Sequence, residues 1–62
     1  MPVREYAKVL RRSIKTGGHC VTAAKCGRAG YWTRMTVIKV KVKGGALFGM
    51  SVHGKWHLLA HD

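Results

Sequence analysis

The fold of this chain depends on one stretch, 37-VIKVKVKGGALFGMSV-52. Ile38, Val40 and Val42 alternate with three lysines, which is the period of two expected of a strand with one apolar face and one solvated face. The glycine pair Gly44–Gly45 then predicts a turn into a second strand. The stretch therefore predicts an antiparallel hairpin with a row of lysines along one side.

The first strand of this hairpin is predicted to run from Tyr31 to Lys43 and to contain an irregularity. Val37 lies beside Ile38, so two neighbouring apolar residues break the alternation that Met35 begins. An extra residue of this kind is accommodated in antiparallel sheets by a β-bulge. We therefore expect a bulge near Val37.

The register of the hairpin is predicted from its apolar residues, because a slip of one residue moves every side chain to the opposite face. A two-residue loop would pair Lys41 with Phe48, which mixes charge with an apolar group. A three-residue loop would pair Val42 with Phe48 or Ala46 and is the register we predict. The solvated face would then carry Lys39, Lys41 and Ser51.

The N-terminal segment 3–15 is predicted to be an amphipathic helix that stops at Gly17–Gly18. Its apolar face, spaced at i, i+4, i+7 and i+11, consists of Val3, Ala7, Leu10 and Ile14. A basic stripe with the same spacing lies one step further round the helix. It consists of Arg4, Lys8, Arg11 and Lys15 and is widened by Arg12.

Two weaker strands complete the predicted fold. His19–Cys26 is one of them, and it is followed by a turn at Gly27–Gly30 with Arg28 near its tip. Lys55–Leu59 is the other, with Trp56 and Leu58 expected to point inward. The prediction is an α+β fold in which the N-terminal helix packs on a three- to four-stranded antiparallel sheet. A chain of 62 residues forms one small domain, 1–62.

The hairpin segment Gly44-Gly45-Ala46-Leu47-Phe48-Gly49 has the pattern G-x-x-L-x-G. It resembles the hairpin of Sm-like RNA-binding proteins, which also begin with an N-terminal helix. The resemblance covers six residues of the chain. It implies an alternative fold, a small SH3-like or Sm-like β-barrel, and it favours RNA among the polyanions.

The charge of the chain is the main indication of function. Twelve lysines and arginines face only two acidic residues, which leaves a formal charge of +10. Such an imbalance favours polyanionic partners, with nucleic acid first. The residues predicted to contact nucleic acid are Arg4, Lys8, Arg11, Arg12, Lys15, Arg28, Tyr31, Arg34, Lys39, Lys41 and Lys43. Five phosphate contacts on duplex DNA would give a log–log salt slope of about −4 to −5.

Aromatic residues next to basic ones suit stacking on unpaired bases. Tyr31 and Trp32 follow the predicted turn and precede Arg34, so Tyr31 is a candidate for stacking. For Trp32 we favour a place in the core over stacking, because a small domain has few large apolar side chains. Phe48 and Trp56 are also predicted to lie in the core.

The sequence favours neither a metal site nor catalysis. On one strand, Cys20 and Cys26 would be about 20 Å apart, too far for a shared zinc ion or a disulfide. The remaining candidate ligands are His19, His53, His57 and His61. Only Glu5 and Asp62 carry carboxylates, so no pair for general acid–base chemistry is predicted. We expect no cofactor and no enzymatic activity.

Three functions remain open at this stage. The first is a small non-enzymatic nucleic-acid-binding protein of low sequence specificity. The second is a viral-type regulator that inhibits or redirects a host protein machine by docking on its acidic surface, with a contact patch at Trp56, Leu58 and Leu59. The third and least favoured is a cationic membrane-active peptide. The absence of a secretory signal and the two unstapled cysteines favour the cytoplasm (host cytoplasm for a viral protein), and a homodimer is compatible with the sequence.

Overall fold

A computed structural model describes residues 2–26 and 30–62 as one helix and four antiparallel strands. The elements are α1 (Val3–Gly17), β1 (Cys20–Cys26), β2 (Tyr31–Lys43), β3 (Ala46–Ser51) and β4 (Trp56–His61). The strands pair in the order β1-β2-β3-β4, and a pair between Lys25 and Leu58 joins β4 to β1. The predicted helix and antiparallel sheet are therefore confirmed, and the sheet closes into a small barrel.

Helix α1 extends two residues beyond the predicted segment 3–15 and ends within the predicted glycine pair, with Gly18 as its C-cap. Gly18 adopts a left-handed conformation with φ of 82°, and its N–H donates to the carbonyl of Ile14 at 2.6 Å. This arrangement satisfies one of the free carbonyls at the end of a helix. Thr16 also donates its hydroxyl to the carbonyl of Arg12 at 3.0 Å within the last turn.

Asp62 fixes the start of α1 to the β2–β3 turn. Pro2, the residue before the helix, offers no side-chain acceptor, and the Val3 N–H donates instead to Asp62 Oδ1 at 3.2 Å. The N–H of Asp62 donates to the carbonyl of Gly45 at 2.9 Å. At its other end α1 is separated only by Gly18 and His19 from β1, whose first residue pairs with Val37 of β2. Helix α1 therefore runs antiparallel to the second half of β2.

The core lies between α1 and the inner surface of the barrel. The buried apolar residues are Val3, Ala7, Leu10, Cys20, Ala24, Cys26, Val37, Leu47 and Leu59. The helix contributes its predicted apolar face, and Ile14 packs against the cluster from its edge. Tyr6 and Thr22 share a hydrogen bond between their hydroxyls, which ties the helix to β1.

The predicted three-residue hairpin loop is wrong, because the loop has two residues. Lys43 pairs with Ala46, and Lys41 pairs with Phe48. Gly44 and Gly45 have φ of 58° and 75°, and positive φ at both positions is the requirement of a type I′ turn. The backbone twist of that turn matches the twist of the strands, so turn geometry decided the register against the apolar pattern.

The interior of the hairpin consequently contains the residues that the prediction had placed outside. Leu47, Gly49 and Ser51 are buried, so the prediction of a solvated Ser51 is also wrong. A Cβ on Gly49 would lie 2.7 Å from Leu59 Cδ1 and 2.9 Å from Val37 Cγ1. The barrel therefore has no room there for anything larger than glycine. The predicted bulge is confirmed, since the register shifts between Val37 and Lys39.

Strand β4 presents the opposite face from the one predicted. Leu59 is inside and 5% exposed, whereas Trp56 is 39% exposed and Leu58 is half-buried. The cause is a register shift between Leu47 and Phe48, where Leu47 pairs with Ala60 and Phe48 with Leu58, so that Leu59 is the extra residue. The prediction that Trp56 and Leu58 point inward is therefore wrong.

The strand predicted over His19–Cys26 begins one residue later, at Cys20, and alternates buried and exposed residues throughout. The turn predicted at Gly27–Gly30 falls largely outside the described residues, because Gly27, Arg28 and Ala29 are not among them. Within the described part of the chain, no helix combines the length and apolarity needed to cross a membrane.

Candidate nucleic-acid interface

The basic residues form two surfaces on opposite sides of β2. Val40 and Val42 pair with Gly49 and Leu47 and face the core, so α1 packs on this inner side of the strand. The lysines that alternate with them project from the outer side. The helix flank consists of Arg4, Lys8, Arg11, Arg12 and Lys15. The strand face consists of Lys39, Lys41, Lys43, Phe48, Met50 and Trp56.

The helix flank is a solvated surface without aromatic residues. All five of its basic residues are exposed. Glu5 Oε1 lies 3.6 Å from Lys8 Nζ, and both side chains are largely exposed, so this ion pair contributes little to stability. Arg4 lines a groove with Val42 and Gly44, which places the beginning of the flank beside the end of β2. The flank thus carries charge and little else.

The strand face combines the lysine row with apolar side chains. Antiparallel partners point to the same side of a sheet. Lys39 pairs with Met50, and Met50 pairs in turn with Trp56 on β4. Lys41 pairs with Phe48, and that ring lies next to Leu58. Lys39 and Lys41 are therefore each followed across the sheet by apolar groups that are half-buried or exposed, whereas Lys43 is followed by Ala46 and His61.

Lys41 makes direct contact with the aromatic residues of this face. Its Nζ lies 4.3 Å from the centroid of the Trp56 ring and 5.8 Å from that of Phe48. Both distances fall within the range of cation–π attraction, which contributes about 0.5–1 kcal/mol at exposed sites. An ammonium group and an accessible indole ring therefore lie side by side on the outer surface of the barrel.

Other predicted contacts lie on the first half of β2. Tyr31 and Trp32 are 60% and 51% exposed, so the prediction that Trp32 lies in the core is wrong. Trp32 pairs with Lys25 on β1, and Arg34 lies on the same outer side opposite Ala23. The first half of β2 therefore carries a second group of exposed aromatic and basic residues. Arg28 lies outside the described residues.

Both carboxylate side chains of the protein are placed near the start of α1. Glu5 lies in its first turn, and Asp62 accepts the hydrogen bond from Val3. Between residues 2–26 and 30–62, the pair Lys8–Glu5 is the one side-chain salt bridge within 4.0 Å. The lysines of the strand face consequently keep their full charge available to an anion.

The cysteines are buried and do not belong to the strand face, whereas His61 pairs with Ala46, the partner of Lys43. Both thiols are free and buried, and burial raises the pKa of the Cys20 thiol. Cys26 Sγ lies 3.9 Å from His57 Nδ1 beside an open groove that His53 also lines. Among the described residues, no three side chains of the types His, Cys, Asp and Glu are close enough to hold a metal ion.

Comparisons of the chain with protein-family models, with curated proteins and with solved structures found no match. The geometry of the two basic surfaces is therefore the basis for inferring the function.

Sequence reasoning identified the lysine row but missed the aromatic half of the strand face. Phe48 and Trp56 were predicted in the core, and Met50 was not singled out. Phe48 is half-buried on the outer side, and Trp56 is exposed. The signal that would have found them is Gly44–Gly45, since a type I′ turn at this pair places Phe48 opposite Lys41.

Proposed function

We propose that this protein is a small non-enzymatic nucleic-acid-binding protein of low sequence specificity, which contacts phosphates through the strand face and, secondarily, through the helix flank. One observation carries the proposal. Lys39, Lys41 and Lys43 project in one row beside the accessible ring of Trp56, whereas the carboxylates of Glu5 and Asp62 lie at the start of α1.

The spacing of the lysine row supports contacts with a chain of phosphates. Alternate residues of a strand lie about 7 Å apart, so Lys39 and Lys43 span about 13 Å. A row of this length offers three cations to successive phosphates of one polynucleotide. Binding releases counterions from the polyanion and relieves the repulsion among the lysines.

Low specificity follows from the kinds of side chain on the strand face. The lysine ammonium is a point charge on a flexible stem and lacks the rigid fork of donors that arginine presents. The other members of the face, Phe48, Met50 and Trp56, offer apolar contacts that every base can accept. Phosphate contacts position a protein on nucleic acid but carry no sequence information.

The helix flank supports a second contact with a longer polynucleotide. It lies on the other side of β2, so a short ligand on the strand face does not reach it. Its three arginines are suited to phosphate oxygens, and Arg4 is nearest to the β2–β3 turn that both surfaces approach. A long chain that passes round this turn would contact both surfaces.

The absence of enzymatic activity is part of the proposal. Of the two carboxylates, Asp62 accepts the first N–H of α1, and Glu5 is exposed beside Lys8. The strand face includes neither carboxylate, and the hydrogen bond from the Val3 N–H engages Asp62 as an acceptor, so we assign no general acid–base pair to these two groups. The cytoplasm is the compartment we propose, because both cysteines are free thiols.

The test is fluorescence anisotropy with labelled single-stranded DNA, single-stranded RNA and duplex DNA, each across a salt series. We expect affinity to fall with salt at a log–log slope of about −0.7 per phosphate contact on single strands and −0.9 on duplex DNA. Absence of binding to all three ligands near 50 mM salt would contradict the proposal.

A second candidate function is favoured by the exposure of Trp56, because a tryptophan amid lysines also suits an acidic protein surface. In this reading the protein is a viral-type regulator of a host protein machine. Changing Trp56 would then abolish the regulation while the fold persists and no polynucleotide binds. Leu59 is unsuitable for that test, because it is buried in the core.

A further inference from the structure

We propose that the strand face binds unpaired nucleotides by stacking a base on Trp56, so that the preferred ligand is single-stranded nucleic acid. The inference rests on the proposed function and adds its substrate class. It assigns the stacking role to a residue that the sequence had placed in the core. Trp56 lies on β4, two strands from the lysine row, and is 39% exposed.

The groups around Trp56 suit the base and the phosphate of one nucleotide. Met50 is its partner on β3, and the ammonium of Lys41 lies 4.3 Å from the ring centroid. A base on the indole would therefore have a cation within reach of its own phosphate. Lys25 on β1 lies on the far side, opposite Leu58, and is exposed. A second cation thus lies on the strand next to β4, across from Leu58.

The same geometry disfavours a duplex as the ligand of this face. In a duplex the bases are stacked on one another, and a protein surface without an inserted element meets phosphates and sugars. The aromatic and apolar centre of the strand face would then have no matching partner. An unpaired strand presents the flat sides of its bases, which any aromatic ring can accept.

The side chain of Lys41 must move when a base binds to the strand face. In the unbound structure its ammonium lies over the Trp56 ring, where a base would stack. A base therefore takes the place of the ammonium, which moves to the phosphate. No bond is formed or broken, and the exchange replaces one cation–π contact by a stacking contact and a charge-assisted hydrogen bond.

The experiment compares two ligands with the same phosphates, the ten-nucleotide strand (dT)10 and a ten-residue abasic strand, by anisotropy at 50 mM salt. We expect the wild-type protein to bind (dT)10 about 5- to 150-fold more tightly for one stacked base. Trp56→Leu should remove this preference, and Trp56→Phe should keep part of it. Lys39→Gln is the matched control, because it should weaken both ligands in the same proportion.

A second measurement tests the inference even if the variant Trp56→Leu does not fold. In the background Trp32→Phe, Trp56 is the one tryptophan, and its fluorescence should be quenched by (dT)10 but not by the abasic strand. A parallel series with (rU)10 decides between DNA and RNA. Circular dichroism and thermal unfolding report whether each variant is folded.

The outcomes separate the inference from the proposed function. Equal binding of both strands by the wild type, without quenching of Trp56, overturns the stacking inference and leaves phosphate binding intact. A preference for (dT)10 that survives Trp56→Leu also overturns it. Failure to bind either strand overturns the stacking inference, and the proposed function is then overturned only if single-stranded RNA and duplex DNA also fail to bind.

Discussion

The helix flank carries more basic residues than the strand face, and the two surfaces present them in different surroundings. The flank has five cations on a solvated helix with one carboxylate, Glu5, beside Lys8. The strand face has three lysines, two aromatic rings and a methionine on a rigid sheet. Charge alone would rank the flank first. The aromatic residues, and the core directly behind them, favour the strand face as the primary interface.

The difference has a simple physical origin. The basic residues of an amphipathic helix lie on its solvated side, so the exposed cations of the helix flank are each hydrated and have no aromatic group among them. Alternate residues of a strand point in one direction, so Lys39, Lys41 and Lys43 are held parallel about 7 Å apart. Cross-strand pairing then adds the aromatic neighbours. A sheet face can therefore hold cations and rings in fixed positions relative to each other.

The largest expected effect is on the affinity for single-stranded DNA. It tests directly whether the strand face contributes more to binding than the helix flank does. The triple variant Lys39→Gln, Lys41→Gln, Lys43→Gln should lower the affinity for (dT)10 about 500-fold at 50 mM salt. Each lost phosphate contact reduces the log–log salt slope by about 0.7. A salt concentration of 50 mM is 20-fold below 1 M, where the electrostatic part of the binding free energy vanishes. The matched helix-flank variant Arg4→Gln, Arg11→Gln, Lys15→Gln removes the same charge. It should cost less than about tenfold, and equal losses would refute the ranking.

The next effect is on stability and compares one glycine from each region. Gly49→Ala should lower the free energy of unfolding by about 1–3 kcal/mol, because the new methyl group would overlap Leu59 and Val37 behind the strand face. Gly17→Ala in α1 is the control, since a Cβ there meets nothing within 4 Å. It should be neutral or stabilising by up to about 1 kcal/mol. Urea denaturation measures both, and an unaffected Gly49→Ala protein would mean that the barrel interior is loosely packed.

A smaller effect is expected at the contact that positions the start of the helix flank. Asp62→Ala removes the acceptor of the Val3 N–H and should cost about 0.5–2 kcal/mol. Asp62→Asn keeps an acceptor but loses the negative charge at the helix N-terminus, and should cost about 0.3–1 kcal/mol. Thermal unfolding of the two variants separates the hydrogen bond from the charge. Identical losses would show that the hydrogen bond itself contributes nothing.

The smallest effect concerns Cys20, which follows α1 directly. Burial raises the pKa of its thiol, so the folded protein holds this proton more tightly than the unfolded chain. The contribution to stability is present below the ordinary thiol pKa of 9.0 and is lost as the pH rises through the folded value. Urea midpoints between pH 7 and pH 10 should therefore fall more steeply for the wild type than for Cys20→Ala. If the urea midpoints of the two proteins changed equally with pH, the raised pKa of Cys20 would be contradicted.

Much of the fold could be predicted from local patterns. The apolar face of α1, the limits of β2 at Tyr31 and Lys43 and the bulge at Val37 all follow from periodicity. The lysine row followed from the same alternation. These features depend on neighbours along the chain, which the order of residues specifies directly.

The aromatic half of the strand face could not be predicted by the same reasoning. Apolar residues were assumed to share the interior, which placed Phe48 and Trp56 in the core. In the barrel Leu47 and Leu59 occupy that space, and Gly49 lies opposite Val40 where no side chain fits. The number of large residues that a small interior accepts is a property of the closed barrel, and it left these two rings on its outer side.

Composition and alternation thus determined that the chain is a basic α+β domain with a row of parallel lysines. Tertiary structure decided which residues share a surface with that row. The two-residue turn at Gly44–Gly45, the extra residue Leu59 in β4 and the closure of the barrel each shift side chains between its inner and outer sides. In a sheet such a shift costs little locally and changes every neighbour across the strands, so pairing, rather than local pattern, placed Trp56 beside Lys41.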